Sequence, residues 1–163
     1  MTALRCTQKL LTAMKVVPSP PPSLSANRLG DWSLNLLHTR PKLVVAVSEH
    51  DRFGLTLEAA PFATLPQRFL DAVFAQLLAI SVPPDTARRE CDAMLPLIIT
   101  ATTPYPNRLS LQANLKDYAW QAEWMMGNGE TLAAINARLA DNIVGINGKL
   151  EFPKKFVFKR LTA

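Results

Sequence analysis

The sequence predicts an α+β fold in which a small, mostly antiparallel sheet of three to five strands is packed by several helices. The first observation is the alternation at 32–38, a period of two that is typical of a half-buried strand. The second is a pair of strand-like runs, 42–48 and 53–58, which follow after short polar connections and complete a central antiparallel meander. The third is the change after Pro61 to apolar spacings of three and four residues, which indicates helices.

The segments before and within the meander can be justified in chain order. Residues 3–6 favour a short strand, and Thr7 is a suitable N-cap for the helix that follows. The Pro-rich loop 18–23 contains four prolines, which fix φ and remove backbone donors, so it predicts either a stiff linker or a docking site for a polyproline reader. The middle strand, 42–48, has apolar residues on both faces, which predicts a central strand covered on both sides.

Helices are predicted to make up most of the second half of the chain. Apolar periodicity and Gly or Pro punctuation place them at 66–80, from 83 onward, at 111–126 and at 130–141. Three shorter segments have other predictions. Residues 97–102 could continue a helix or form an extra strand because β-branched residues dominate, 105–107 predict a turn, and 156–158 predict an edge strand.

Composition limits the class of protein. A chain of 163 residues suits a single domain, 1–163, and 48% hydrophobic residues argue against disorder. The apolar runs are too short for a membrane span and no secretion signal is evident, so we expect a cytoplasmic protein without membrane contact. Cys6 and Cys91 are expected to be free, buried thiols. The two Cys and two His lack the close pairs of a zinc site, so we expect neither a metal nor a cofactor.

Most of the net charge of +5 belongs to a basic aromatic tail, 149–163. Its phenylalanines alternate with cations, which could engage phosphates while the rings stack on unpaired bases. The alternative is an edge strand whose lysines protect the edge against aggregation. The candidate nucleic-acid contacts are Lys149, Lys154, Lys155, Lys159 and Arg160.

Two segments carry a resemblance to a known family. Residues 5–11 read Arg-Cys-Thr-Gln-Lys-Leu-Leu and residues 30–37 read Gly-Asp-Trp-Ser-Leu-Asn-Leu-Leu. They resemble the Arg-Cys-Thr-x-Lys-Leu-Leu and Gly-Asp-Trp-x-x-Asn-Leu-Leu signatures of an uncharacterised bacterial domain-of-unknown-function family. A third signature has its counterpart at 109–118, where Ser110 and Asp117 are kept. The resemblance covers most of 3–145 and leaves the basic tail peculiar to this chain. It implies no activity and only an association with mobile elements, so a binding or regulatory module of a bacterial mobile-element or defence-type system is our own expectation.

The polar residues within the resembling segments allow two interpretations. Arg5 and Asp31 could form a charge-assisted pair that ties the first strand to the meander. Alternatively, Arg5, Lys9, Asp31, Asn35 and His38 could form a ligand pocket, which would make the protein an enzyme acting on an anionic substrate. No phosphate loop, zinc-protease motif or hydrolase nucleophile motif is present, so the chain favours a non-catalytic protein and no catalytic residue is assigned.

Trp120 and Trp124 stand four residues apart and therefore share one face of the predicted 111–126 helix. They could complete the core around a buried helix, or form an aromatic patch for a partner protein or a second subunit. The function that the sequence favours is a binding or regulatory module, with these tryptophans as anchors for a protein partner or for self-association. Nucleic-acid binding through the tail is the alternative.

Overall fold

The computed structural model describes residues 1–102 and 108–163, and its centre is a five-stranded sheet with helices on both faces. The strands are β1 (Thr2–Cys6), β2 (Trp32–Leu37), β3 (Leu43–Ser48), β4 (Gly54–Glu58), β5 (Leu97–Ala101), β6 (Val144–Ile146) and β7 (Lys149–Glu151). The helices are α1 (Gln8–Met14), α2 (Leu65–Ala79), α3 (Pro84–Met94), α4 (Arg108–Gly127), α5 (Leu132–Ala140) and α6 (Pro153–Thr162). The turn predicted at 105–107 lies outside the described residues.

The main sheet has the strand order β4-β3-β2-β1-β5 and is mixed. Strands β2, β3 and β4 form the antiparallel meander, while β1 runs parallel to both of its neighbours. The parallel pairing of β1 with β2 requires a long connection, which α1 and the Pro-rich segment supply. The α+β class and the central meander are confirmed, and the ambiguous 97–102 segment is the edge strand β5. Strands β6 and β7 form a separate hairpin.

Each face of the sheet carries its own apolar core. Helices α1, α2, α3 and α6 cover one face, where Trp32 packs edge-to-face against Phe53 and Phe69. Helices α4 and α5 cover the other face, over Val45 and Val47. Every residue of β3 is buried, so the prediction of a central strand covered on both sides is confirmed. Within the described residues, no helix combines the length and apolar character that crossing a bilayer requires.

The predicted edge strand at 156–158 is wrong, because these residues lie inside helix α6. Three consecutive apolar residues imitate a strand, but the buried positions recur every four residues, at Pro153, Val157 and Leu161. Pro153 suits the first turn of a helix, where a missing N–H leaves no bond unmade. The tail is therefore a folded element in which Val157 and Leu161 belong to a core, Leu150 and Phe158 are exposed, and only 149–151 form a strand.

Candidate functional site

Arg5 and Asp31 form a buried ion pair, as the structural interpretation of these residues expected. Arg5 Nη2 donates to Asp31 Oδ2 at 2.9 Å, and both side chains are only 10% exposed. The second carboxylate oxygen of Asp31 accepts the backbone N–H of Ala3 at 2.9 Å. Both oxygens are thus engaged within the fold, and the pair joins β1 to the residue that precedes β2.

The remaining members of the predicted anion pocket lie elsewhere. Asn35 accepts the Thr7 hydroxyl at 2.8 Å, while Lys9 and His38 are exposed. Asp31 and His38 flank β2 at opposite ends, about 20 Å apart at the usual rise of a strand. The five residues therefore do not form one pocket. Among the described residues, no three side chains of His, Cys, Asp or Glu gather closely enough to hold a metal ion.

Trp120 and Trp124 lie on the outer side of α4, and their exposed fractions are 65% and 62%. They do not complete the core, because α4 turns other residues, including Tyr118 and Ala122, toward the sheet. The two indoles border a cleft of about 540 Å³ between α4 and α5, which Met125 and Arg138 also line. We call these two tryptophans and this cleft the Trp surface.

Amide side chains fix the polar edge of the Trp surface. Gln121 Nε2 donates to Asn142 Oδ1 at 3.1 Å and to Asp117 Oδ2 at 3.0 Å. Asn142 Nδ2 donates to the same carboxylate at 3.2 Å. The network links α4 to the residues after α5, so the cleft is bordered by side chains that are already ordered.

Three of the five predicted tail cations bond to carboxylates of the same chain. Lys154 Nζ lies 2.5 Å from Asp141 Oδ1, and Lys155 Nζ lies 3.5 Å from Oε1 of Glu151, four residues earlier at the end of β7. Arg160 makes the third such contact, with Asp51. Lys149, Lys155 and Lys159 line one cleft of about 500 Å³ together with Leu150 and Phe156, which we call the lysine cleft.

Sequence reasoning missed the charged turn between β3 and β4. Asp51 is 1% exposed and Arg52 is 6% exposed, although both belong to a hairpin turn. Arg160 of α6 donates two hydrogen bonds to Asp51, from Nε to Oδ2 at 2.7 Å and from Nη2 to Oδ1 at 3.0 Å. This contact raises the pKa of Arg160. The sequence feature that could have indicated this site is the run of four ionisable residues at 49–52. A solvated turn has the same composition, however, and the partner of Asp51 lies 109 residues away.

The charged turn and Arg160 border a cleft of about 410 Å³, which we call the turn cleft. Ser110 from the first turn of α4 and residues 145–147 of the second hairpin close its other sides. Arg52 Nη2 reaches Ser110 Oγ at 3.4 Å, and Arg52 Nη1 donates to the Glu49 carbonyl. Four separate parts of the chain therefore meet around one polar space.

A buried carboxyl, Glu90 of α3, supports the segment next to this turn. One oxygen of Glu90 accepts the backbone N–H groups of Arg28 at 2.8 Å and Leu29 at 2.9 Å. Burial raises the pKa of Glu90, an effect that these two bonds oppose only in part. The Arg28 carbonyl in turn accepts a bond from His50 Nδ1 at 2.8 Å. The sequence did not indicate a special role for Glu90, because an acidic residue in a helix with several charged residues is expected to lie in solvent.

Comparison with known families identifies the family of this chain. Residues 3–156 match the family described as Domain of unknown function (DUF6933), and the chain belongs to that family. The match extends into α6, so the resemblance reaches beyond residue 145 and includes part of the tail that we expected to be peculiar to this chain. No curated protein and no solved structure matches the chain.

Proposed function

We propose that this protein is a non-catalytic binding module that captures a partner protein through the Trp surface. The observation that carries the proposal is the exposure of two tryptophans, 65% and 62%, on one helix face beside a cleft. Large aromatic side chains are rarely left in water without a use, and tryptophan is enriched among residues that dominate binding energy. The setting in a bacterial mobile-element or defence-type system is supported by the family resemblance alone.

The chemistry of the Trp surface favours one kind of partner segment. Trp120, Trp124 and Met125 offer apolar contact, and Arg138 contributes a positive charge at the edge of the cleft. We propose a segment that places one or two apolar side chains between the indoles and an Asp or Glu against Arg138. Such a segment forms a small interface with an aromatic centre and a polar rim.

The experiment compares affinity capture by the wild type, by Trp120→Ser/Trp124→Ser, and by a control variant that removes exposed apolar side chains elsewhere. Leu24→Ser/Leu150→Ser is a matched control, because both leucines are exposed and neither lines the Trp surface. We expect the tryptophan variant to lose at least about thirtyfold in affinity, the usual effect of one interface hot spot, and the leucine variant to bind normally.

Partner identity and self-association are separated by one further measurement. Sedimentation velocity over a range of concentrations detects a dimer, and a dimer lost only in Trp120→Ser/Trp124→Ser would make the partner a second copy of this chain. Equal capture by all three proteins, with no dimer affected, would refute the proposal. A far-UV circular dichroism melt of each variant checks that the fold is retained.

A second candidate, nucleic-acid binding, is favoured by one observation: Lys149, Lys155 and Lys159 line the same cleft. Deleting 149–163 would be a poor test, because Val157 and Leu161 belong to the core. Lys149→Gln/Lys155→Gln/Lys159→Gln keeps those contacts. If the lysines bind phosphates, single-stranded DNA binding should fall steeply with salt, and the variant should flatten the log–log salt slope by about 2. An unchanged slope would end this candidate.

A further inference from the structure

We propose that the turn cleft is a binding site for a small molecule that carries a phosphate group. The site is independent of the Trp surface and of any partner protein bound there. Its volume of about 410 Å³ falls within the range of small-molecule pockets, roughly 300–1,000 Å³. Its lining includes two arginines, His50, Ser110 and one carboxylic acid, Glu49, and comes from the β3–β4 turn, α4, α6 and the second hairpin.

Arg160 is the strongest phosphate donor of the turn cleft. Asp51 occupies its Nε and Nη2 atoms, so Nη1 is the guanidinium nitrogen that this ion pair does not use, and Arg160 also lines the cleft. Asp51 is almost fully buried, so the ion pair holds the long Arg160 side chain in one position before a ligand arrives. Arginine held in this way loses little conformational entropy on binding and suits a phosphate oxygen geometrically.

Arg52 brings a second positive charge to the same space. Its backbone has φ +55°, in the left-handed region, and its carbonyl accepts the hydroxyl of buried Tyr118 at 2.8 Å. This unfavourable backbone conformation is thus supported from the α4 side of the sheet. The contact between Arg52 Nη2 and Ser110 Oγ places a hydroxyl beside the guanidinium, in the first turn of a helix, where the dipole favours anions.

The orientation of His50 is also fixed. Its Nδ1 lies 2.8 Å from the Arg28 carbonyl, and because a carbonyl oxygen only accepts, Nδ1 must carry a proton. The ring lies against Gly30, where an added Cβ would be 2.9 Å from Nε2. With Nδ1 engaged, Nε2 is the one ring nitrogen of His50 that this bond does not use. Such preorganisation is what a specific site requires, and a solvated turn does not have it.

The wall of the turn cleft also indicates what else the ligand carries. Glu49 and Asn147 line the same space as the arginines. A carboxylate next to a phosphate site accepts hydrogen bonds, so the ligand should carry hydroxyl groups beside its phosphate. Donors from three different elements suit the tetrahedral arrangement of phosphate oxygens better than a planar carboxylate. A phosphorylated sugar fits this description.

The test titrates ¹⁵N-labelled full-length protein with glucose 6-phosphate and with inorganic phosphate. Glucose is the first control, and sodium chloride added to the same ionic strength as the phosphates is the second. We expect saturable shifts of the amides of Ser110, Gly145 and Asn147 with the two phosphates and with neither control. Asp51→Asn/Arg160→Gln removes the donor without leaving a buried carboxylate unpaired, and should weaken phosphate binding by about tenfold or more. Lys159→Gln, on the same helix but in the lysine cleft, should change it less than about twofold.

Three outcomes would overturn the proposal. The first is that sodium chloride reproduces the amide shifts. The second is that the double variant and Lys159→Gln bind phosphate with equal affinity. The third is that a single-stranded oligonucleotide displaces glucose 6-phosphate, which would make the cleft a nucleic-acid contact. Should the double variant fail to fold, Ser110→Ala provides the second test. Ser110 is exposed, so its loss should weaken phosphate binding by about threefold or more and leave the melting temperature unchanged.

Discussion

Gly54, the first residue of β4, should tolerate no side chain at all. A Cβ built at this position lies 2.6 Å from Cδ2 and from Cε2 of Tyr118, well inside the contact distance of two carbon atoms. Tyr118 is completely buried, and its hydroxyl donates to the Arg52 carbonyl at 2.8 Å. The ring therefore cannot move away without losing the bond that supports the charged turn.

The expected magnitude for Gly54→Ala combines two effects. Overpacking a well-packed core costs about 1–3 kcal/mol, and loss of the Tyr118 hydrogen bond adds about 1 kcal/mol. The free energy of unfolding should thus fall by about 2–4 kcal/mol, which for a chain of this size lowers the melting temperature by about 5–15 °C. Gly127→Ala is the matched control, since nothing lies within 4 Å of its added Cβ. That change should be neutral or stabilising by up to about 1 kcal/mol.

The assay is urea unfolding followed by far-UV circular dichroism, arranged as a double-mutant cycle. In a Tyr118→Ala background the ring is absent, so adding Gly54→Ala should cost little, and the coupling between the two changes should be about 2 kcal/mol. The reasoning is refuted if Gly54→Ala destabilises both backgrounds equally. It is also refuted if Gly127→Ala is as harmful as Gly54→Ala, because the effect would then come from the loss of glycine itself.

Three further predictions concern buried polar and thiol groups. Arg5→Gln leaves a buried carboxylate without its cation and should destabilise the protein by about 3–5 kcal/mol, whereas Lys9→Gln, at an exposed position, should change stability by less than about 0.5 kcal/mol in urea unfolding. Because the pKa of Glu90 is raised in the folded state, stability should decline as the pH rises from about 4.3 through that raised pKa; Glu90→Gln should remove this decline when unfolding is measured across pH. Burial raises the pKa of Cys6 and Cys91 to about 12, so an aromatic disulfide reagent at about pH 8 should label neither thiol until guanidinium chloride unfolds the chain; fast labelling of the native protein would contradict this.

Local patterns were sufficient for most of the fold. The meander could be predicted because alternation and short connections are local properties, and helices α2 and α4 because their apolar stripes extend over many turns. The parallel pairing of β1 was not predicted, since it depends on where α1 returns the chain. Helix α6 was mistaken for a strand because three adjacent apolar residues outweighed its short 3.6-residue pattern.

The candidate sites also differ in whether local sequence patterns or long-range contacts define them. Trp120 and Trp124 could be selected from their spacing, but whether they are buried depends on which face of α4 meets the sheet. Arg160 was selected from the sequence as a nucleic-acid contact, but its pairing with Asp51 could not be predicted, because an ion pair between residues 109 positions apart forms only when α6 folds back on the β3–β4 turn. Long-range charge pairing leaves no periodic signal, so the turn cleft could be recognised only in three dimensions.

The Trp surface and the turn cleft both use α4, yet their tests are separable. Ser110 and Trp120 are ten residues apart, about 15 Å along a helix. Tyr118 lies between them and anchors α4 to the sheet through Arg52, so the helix cannot shift without disturbing a buried bond. Changing the exposed indoles should therefore leave phosphate binding intact, and changing Arg160 should leave partner capture intact. A variant that lost both activities would indicate a damaged α4 and would count against neither site by itself.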